Sequence, residues 1–225
     1  MFIQFKHPFT MIVSGPSGCG KTTFTKSLLE NLNEYVHPRI KRIIWCFAES
    51  NAIPKYLHLN TSILFHQGIP EKFENPSNIP TLIILDDLMQ EANNIRVCES
   101  HHRNLSVILI TQNFFHQGPR CRDISLNAKY VVIFKNPRDK LQFQYLARQI
   151  HPENPKEMLR IYKEITEKPY GYLLLDLTQD THHLLRYRSD IFNHHNCCVV
   201  YCEKPNDQNV ETETFNGEQT YVICS

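Results

Sequence analysis

Residues 15–22 read GPSGCGKT and match the spacing G-x-x-x-x-G-K-[ST] of a phosphate-binding loop. Glycines at this spacing allow successive backbone N–H groups to point inward and surround an anion. The ammonium group of Lys21 can then reach the β- and γ-phosphates of a nucleotide, and the hydroxyl of Thr22 can coordinate Mg²⁺. We therefore predict a site for ATP and Mg²⁺. The predicted nucleotide-binding residues are Gly15, Pro16, Ser17, Gly18, Cys19, Gly20, Lys21, Thr22 and Thr23.

Two adjacent carboxylates follow the apolar run Leu82–Leu85 and would supply a second part of such a site. We predict that Asp86 holds Mg²⁺ through water, together with Thr22, because magnesium retains much of its hydration in proteins. Asp87 is predicted to polarise the attacking water. A bound divalent cation would offset the repulsion between the two carboxylates. The alternative is an ordinary strand followed by an aspartate that caps a helix, a role for which Asp87 is suited.

A third group of polar residues follows the apolar run Leu105–Thr111. In P-loop ATPases with an additional strand, this strand lies between the strands that carry the phosphate loop and the acidic pair. We predict that Gln112 senses the γ-phosphate or the lytic water, with Asn113 as the second candidate. The alternative is simply the polar beginning of a loop.

Arginines farther along the chain could complete the site from a neighbouring subunit. In a ring ATPase, an arginine inserted into the neighbour's site stabilises charge on the transferring phosphoryl group. Arg122 is the first candidate, followed by Arg120 or Arg103, and the alternative for each is a solvated surface arginine. The predicted catalytic residues are Lys21, Asp87, Gln112 and Arg122.

The elements that must position these residues are predicted from continuous apolar runs, which are typical of strands buried on both faces of a parallel sheet. The runs are Phe9–Ser14, Ile40–Ala48, Thr81–Leu85, Leu105–Thr111 and Lys129–Lys135, with a shorter one at Ser62–His66. Helix-like segments separate several of them, at Lys21–Asn33, Leu88–His102 and Arg138–Ile150. This alternation predicts an α/β fold in which ligands bind at the carboxyl ends of the strands.

The pattern changes after residue 150. Pro155–Lys168 predicts a further helix, whereas Tyr170–Thr178 and His183–Arg188 predict a hairpin or edge strands. Residues 191–225 are polar and lack clear periodicity. We therefore predict a single domain of residues 1–190, followed by a poorly ordered tail.

The composition of the 225-residue chain is that of a globular domain, with 41% hydrophobic residues. Its 24 Lys and Arg against 23 Asp and Glu give a formal charge of +1, so contact with nucleic acid requires a local basic patch. Eight cysteines in a chain of this size, with Lys6 and His7 interrupting the apolar start, indicate a reducing compartment and no signal peptide. No apolar run approaches the roughly 20 residues that cross a bilayer, so we expect no membrane partner.

Five segments, taken in order, resemble the genome-packaging ATPases of Polinton (Maverick) elements and related double-stranded DNA viruses. They are GPSGCGKT, LIILDDLM, SHHRNLSVILITQNFF, CRDISLNAKYVVIFKNPRDK and PYGYLLLDLT, and the resemblance runs from about Phe9 to Arg188. These ATPases belong to the FtsK–HerA superfamily, alongside the poxvirus-type packaging ATPases. The phosphate loop alone occurs in many families, whereas HHRN, TQN, RDISLN and FKNPRDK in this order are far more specific.

The resemblance implies a P-loop NTPase fold with a RecA-like, mostly parallel sheet flanked by helices and a C-terminal hairpin. It also implies an ATPase that forms a homo-oligomeric ring and threads double-stranded DNA into a capsid, with a capsid or portal component as a further partner. The implied location is intracellular, in the host nucleus or cytoplasm, or associated with the virion. Lys21 and Thr22 carry over as phosphate and Mg²⁺ binders, Asp86 as the metal-linked carboxylate and Gln112 as the sensor. The family's second acidic position is often glutamate, whereas here it is Asp87.

Other classes of protein share parts of this pattern. Guanylate kinases share GPSG-x-GK, but a small nucleotide kinase would need neither the TQN strand nor an arginine from a neighbour. ABC transporter ATPases need an LSGGQ-type segment, which the sequence between Thr22 and Thr81 does not contain. The third alternative is a non-catalytic DNA- or capsid-associated protein with a vestigial nucleotide fold, and the intact Lys21 and Asp86 argue against it.

Two clusters elsewhere could bind other ligands. The basic segment of residues 37–42 could contact phosphates, although a solvated strand edge is the favoured interpretation. Zinc could bind the thiols and imidazoles near residues 194–202, but their spacing is irregular and a free tail is favoured. The residues of this second cluster are His194, His195, Cys197, Cys198 and Cys202.

Overall fold

The computed structural model describes residues 4–48, 62–88, 104–114, 124–192 and 198–201. The helices in these ranges are α1 (Lys21–Glu30), α2 (Leu32–Tyr35), α3 (Lys140–Ile150) and α4 (Pro155–Ile165). The strands are β1 (Phe5–Lys6), β2 (Thr10–Ser14), β3 (Val36–His37), β4 (Arg42–Phe47), β5 (Ile63–Gln67), β6 (Thr81–Asp86), β7 (Leu105–Thr111), β8 (Tyr130–Phe134), β9 (Tyr172–Asp176), β10 (Tyr187–Ser189) and β11 (Val199–Tyr201). None of these helices is both long enough and apolar enough to cross a bilayer.

Nine of the strands form one sheet in the order β11-β10-β9-β8-β2-β7-β6-β4-β5, and β1 pairs with β3 separately. Every neighbouring pair from β8 to β5 is parallel, whereas β9, β10 and β11 are added in antiparallel fashion. The predicted α/β fold with a mostly parallel sheet is therefore confirmed. The predicted position of the strand before Gln112 is also confirmed, because β7 lies between β2 and β6.

The sheet forms where the sequence has its apolar runs, because both of its faces are covered. All residues of β2, β6, β7 and β8 are buried, and alternate side chains enter two separate clusters. Ile12 belongs to the cluster that includes α3 and α4, whereas Met11 and Val13 belong to the cluster that includes α1 and α2. A continuous apolar strand sequence is thus required by helices on both sides.

The first predicted helix is shorter than expected. It was predicted over Lys21–Asn33, but α1 ends at Glu30 and a separate short helix, α2, begins at Leu32. The side-chain amide of Asn31 donates to the carbonyl oxygen of Ser27 at 2.9 Å, and its backbone N–H donates to the same oxygen at 3.2 Å. Asparagine commonly ends helices in this way because its side chain competes for backbone hydrogen bonds.

The predicted C-terminal hairpin is present as the antiparallel pair β9 and β10. A buried ion pair joins the two strands, since Arg188 Nη2 lies 2.8 Å from Asp176 Oδ2 and both side chains are about 95% buried. The two strands are linked by a chain segment that includes a 3₁₀ turn at His183–Leu185. The hairpin is therefore an integral part of the sheet, close to one of its edges.

Parts of the predicted tail pack against this edge. Ile191 is 2% exposed, its backbone N–H donates to the Tyr172 hydroxyl at 3.0 Å, and its carbonyl accepts from Tyr35. Strand β11 pairs with β10 and buries Val200. Ordered packing thus continues past residue 190 at residues 191–192 and 198–201, while the order of the tail as a whole stays a prediction.

Candidate functional site

The predicted phosphate loop connects the carboxyl end of β2 with the amino end of α1. Its first residue is anchored to the neighbouring strand, because the Gly15 N–H donates to the Thr111 carbonyl at 3.2 Å. A Cβ atom at Gly15 would lie 2.7 Å from both Cys19 Sγ and the Phe134 Cβ. Glycine is therefore required at this position by close packing of the loop against itself and against β8.

The amino end of α1 is open to an anion. Its N-cap residue is Gly20, in a left-handed conformation (φ 111°), and no side chain among the described residues caps the helix. Thr22 and Thr23 are exposed in the first turn, where Phe24 is the first residue to bond back to Gly20. Uncapped N–H groups and the helix dipole together favour a bound phosphate.

Lys21 lies across the loop and adds positive charge at its mouth. Its ammonium group donates to the carbonyl oxygens of Gly15 at 2.6 Å and Pro16 at 2.9 Å. The lysine is thus held by the loop that it serves, with one N–H left to donate to a ligand.

Asp86 ends strand β6 and is 7% exposed. Within the part of the chain that the structure describes, its Oδ2 atom has no hydrogen-bond partner. Burial raises the pKa of this carboxyl to about 6. The side chain of Trp45 and the charge of Lys21 lower this pKa, whereas the nearby charge of Asp87 raises it. A buried carboxylate with an unsatisfied oxygen costs stability unless a cation pairs with it, so Asp86 fits a divalent metal ion.

Asp87 and Gln112 are brought into direct contact. Gln112 follows β7, and its Nε2 donates to Asp87 Oδ2 at 3.0 Å. Asp87 is exposed, has a φ of 56°, and is fixed by its own N–H, which donates to the Ile110 carbonyl at 3.0 Å. The predicted water-polarising residue and the predicted sensor therefore meet at the tips of two adjacent strands, although their catalytic roles stay predictions.

A cavity of about 830 Å³ lies on the other side of the phosphate loop. Gly20, Lys21 and Thr23 line it where it borders the loop and α1. Its far wall is mainly apolar and aromatic and is lined by Phe134, Tyr170, Tyr172, Phe192 and Val199, together with the carboxylate residue Asp190. Sequence reasoning did not identify this wall, because its residues come from β8, β9 and the segments around β11, which converge only in the folded chain.

Several predicted site residues fall outside the described ranges. These are the three arginine candidates Arg103, Arg120 and Arg122, and most of the predicted helix Leu88–His102. The zinc candidates other than Cys198 also lie outside them, and the described residues contain no group of three or more potential metal ligands of the His, Cys, Asp or Glu type. The roles of all these residues therefore stay predictions.

The basic segment of residues 37–42 is described, and it lies away from the phosphate loop. It leads into the amino end of β4, whereas the phosphate loop, Asp86 and Gln112 follow the carboxyl ends of their strands. Arg42 donates to the Glu74 carbonyl at 2.8 Å. Because β4 and β6 are parallel, this segment is at the opposite edge of the sheet from the candidate site.

A phosphate loop after β2, an acidic residue at the end of β6 and the strand order β8-β2-β7-β6-β4 define the fold of a P-loop NTPase. Two solved structures of the genome packaging NTPase B204 from Sulfolobus turreted icosahedral virus 2 are similar to this chain. The complex with AMPPCP has a TM-score of 0.50 and 16% identity over 77% of this chain and 95% of that one. The complex with ATP-gammaS has a TM-score of 0.49 and 17% identity over 77% and 94%.

A more distant similarity is to the N-terminal domain of zonular occludens toxin from Neisseria meningitidis, with a TM-score of 0.38 and 14% identity over 60% of this chain and 80% of that one. No protein-family model matches the sequence, and no curated protein matches it significantly. At 16% identity, the similarity to the AMPPCP complex shows the P-loop NTPase fold alone.

Proposed function

We propose that this chain is an ATPase that translocates double-stranded DNA and packages the genome of a virus or virus-like element into a capsid. One observation carries the enzymatic part of the proposal. An open phosphate loop lies at the same edge of the sheet as a buried carboxylate with an unsatisfied oxygen, Asp86 Oδ2. Those are the two parts that ATP hydrolysis with a divalent cation requires.

The positions of the loop, the acidic residues and the cavity suggest one orientation for the nucleotide. Its phosphates would lie on residues 15–22, with the γ-phosphate towards Asp86 and Gln112. The strand order places β9 and β10 on the opposite side of β2 from β6, so the base would enter the aromatic cavity. Tyr170 is 72% exposed beside that cavity and could stack on a base.

Asp86 and the hydroxyl of Thr22 would hold Mg²⁺, which neutralises charge on the phosphates when bound. A cation there would satisfy the buried oxygen of Asp86. A bound cation would also lower the pKa of Asp86, against the effect of burial.

Asp87 would orient the attacking water, and Gln112 would report the state of the γ-phosphate through its hydrogen bond to Asp87. An arginine from a neighbouring subunit would stabilise the transition state, with Arg122 as the first candidate and Arg120 or Arg103 as alternatives. Hydrolysis would then depend on closure of the interface in a homo-oligomeric ring.

The packaging role is supported by the five segments that resemble Polinton and poxvirus-type packaging ATPases and occur in the same order along the chain. The similar fold of the genome packaging NTPase B204 is compatible with it. With a formal charge of +1, the chain would contact the DNA backbone through a local patch, and a capsid or portal component would be a further partner. The thiols of Cys19 and Cys46 are free, as is common in a reducing intracellular compartment.

The test is an ATPase assay of the purified chain with and without linear double-stranded DNA. We expect DNA to stimulate hydrolysis in a salt-sensitive manner, and Lys21→Ala to reduce turnover by at least about 100-fold. Lys26→Ala is the matched control, since Lys26 lies on the same helix and pairs with Glu30 at 3.6 Å. The control should retain turnover.

Three results would count against the proposal. Full hydrolysis by a folded Lys21→Ala protein would refute the site. Hydrolysis without any effect of DNA, together with phosphoryl transfer to a nucleoside monophosphate, would favour a small nucleotide kinase. Absence of nucleotide binding and of hydrolysis would favour a vestigial fold.

A further inference from the structure

A second side-chain contact holds the segment that carries the predicted sensor. Gln112 and Asn113 leave the end of β7 together, and Gln112 donates to Asp87. The neighbouring Asn113 Oδ1 accepts from Gln142 Nε2 at 2.5 Å. Gln142 lies on α3, 29 residues from Asn113 in sequence, so this hydrogen bond joins the sensor segment to a different layer of the fold.

Gln142 is itself rigidly placed. It lies in the first turn of α3, where its backbone N–H donates at 3.0 Å to Asp139, the N-cap residue of the helix. The next residue, Phe143, is buried and stacks on Tyr162 of α4 with ring centroids 3.8 Å apart. Because the backbone is already fixed, only the side chain of Gln142 has to be ordered when its amide forms a hydrogen bond.

The helices α3 and α4 are also connected, through the end of β8, to the phosphate loop. The Tyr162 hydroxyl donates to the Phe134 carbonyl at 2.9 Å and accepts from the Asn136 N–H at 3.3 Å. Phe134 packs directly behind Gly15. The helix pair α3 and α4 therefore contacts the segment expected to sense the phosphates directly, and is linked through Phe134 to the loop expected to hold them.

We infer that Gln142 is a positioning residue of the hydrolysis site: its amide fixes Asn113 and thereby holds Gln112 at Asp87. The inference rests on the proposed ATPase function. The side-chain amide of Gln142 donates to Asn113, next to the predicted sensor, so Gln142 acts through the sensor segment. Its loss should slow the chemical step and leave nucleotide affinity nearly unchanged, because an interaction that serves only the transition state appears in kcat.

The experiment is steady-state ATPase kinetics of the full chain carrying Gln142→Leu, which keeps volume and helix propensity but removes the amide. We expect kcat to fall about tenfold, with KM for ATP within about twofold of the wild-type value. Gln149→Ala is the matched control, because Gln149 is an exposed glutamine on the same helix. It should leave both constants unchanged, and thermal unfolding of each variant should confirm an intact fold.

A double-mutant cycle with Gln112→Ala separates positioning from a merely structural role. If Gln142 acts through Gln112, Gln142→Leu has no further effect once Gln112 is alanine. The inference would be overturned if Gln142→Leu lowered kcat by the same factor whether residue 112 is glutamine or alanine. A wild-type kcat in the Gln142→Leu variant would also overturn it. If the wild-type chain binds ATP and hydrolyses it, these failures leave the proposed ATPase function intact. If wild-type chain hydrolyses no nucleotide, the proposed function fails and this inference fails with it.

Discussion

Asp86→Asn tests whether the protein keeps a destabilising carboxylate for the sake of a cation. Asp86 is 7% exposed, its Oδ2 has no hydrogen-bond partner among the described residues, and burial raises its pKa to about 6. In the absence of Mg²⁺ and nucleotide, the ionised form therefore opposes folding at neutral pH. Asparagine has the same shape without the charge, so we expect the variant to be more stable than the wild type.

The size and the pH range follow from the two pKa values. The folded-state pKa of about 6 is above the ordinary value of 3.8, so the folded protein binds the proton more tightly than the unfolded chain. The contribution of Asp86 to the free energy of unfolding therefore falls as pH rises from about 4 to about 6 and is constant above that range. A difference of about two pKa units corresponds to about 3 kcal/mol at 25 °C.

The assay is urea denaturation with EDTA present, at pH 7.5 and at pH 5. We expect Asp86→Asn to raise the free energy of unfolding by up to about 3 kcal/mol at pH 7.5 and by about half of that at pH 5. Asp87→Asn is the control, since Asp87 is adjacent but exposed, and asparagine tolerates its φ of 56°. The control should change stability by no more than about 0.5 kcal/mol.

The two proteins should also differ in how much a ligand stabilises them. Mg²⁺ with a non-hydrolysable ATP analogue should stabilise the wild type, because a bound ligand shifts the folding equilibrium. Asp86→Asn should gain less, since it lacks the carboxylate. An Asp86→Asn protein that is no more stable than the wild type at pH 7.5, or that gains equally from the ligand, would refute the reasoning.

Two further variants test the packing of the phosphate loop and the buried ion pair of the β9–β10 hairpin. Gly15→Ala should lower the free energy of unfolding by up to about 3 kcal/mol, because its Cβ would lie 2.7 Å from Cys19 Sγ and the Phe134 Cβ. The control is Gly18→Ala, whose Cβ would meet no described atom within 4 Å. Urea denaturation should show a smaller loss of stability for this control. Arg188→Met should cost about 3–5 kcal/mol by leaving the buried charge of Asp176 unpaired. The double variant with Asp176→Asn should recover part of that loss, and equal stability of the single and double variants would contradict this account.

The parallel part of the fold could be predicted because its strands are buried on both faces. A strand such as Leu105–Thr111 is mostly apolar on both faces, and that pattern is visible without a structure. The phosphate loop was equally visible, since its glycines satisfy local backbone and packing requirements. Features that depend on one stretch of chain could thus be predicted from the sequence.

The contacts between distant segments could not be predicted from the sequence. The hydrogen bonds from Gln112 to Asp87 and from Gln142 to Asn113 depend on strand order and on the placement of α3, which no local pattern encodes. The aromatic cavity was missed for the same reason. Ile191 falls in the predicted polar tail because the segment after Asp190 lacks a periodic apolar pattern, although its hydrogen-bond partner Tyr172 lies on β9.

The central claim is that residues 15–22 and Asp86 form one site for a triphosphate and its metal. The most direct measurement is a crystal structure of the chain with AMPPCP and Mn²⁺, in which anomalous scattering locates the metal. The account predicts phosphate density against the backbone amides of the loop, with the metal peak next to Thr22 and Asp86. A nucleotide bound elsewhere, or a metal peak remote from Asp86, would contradict it.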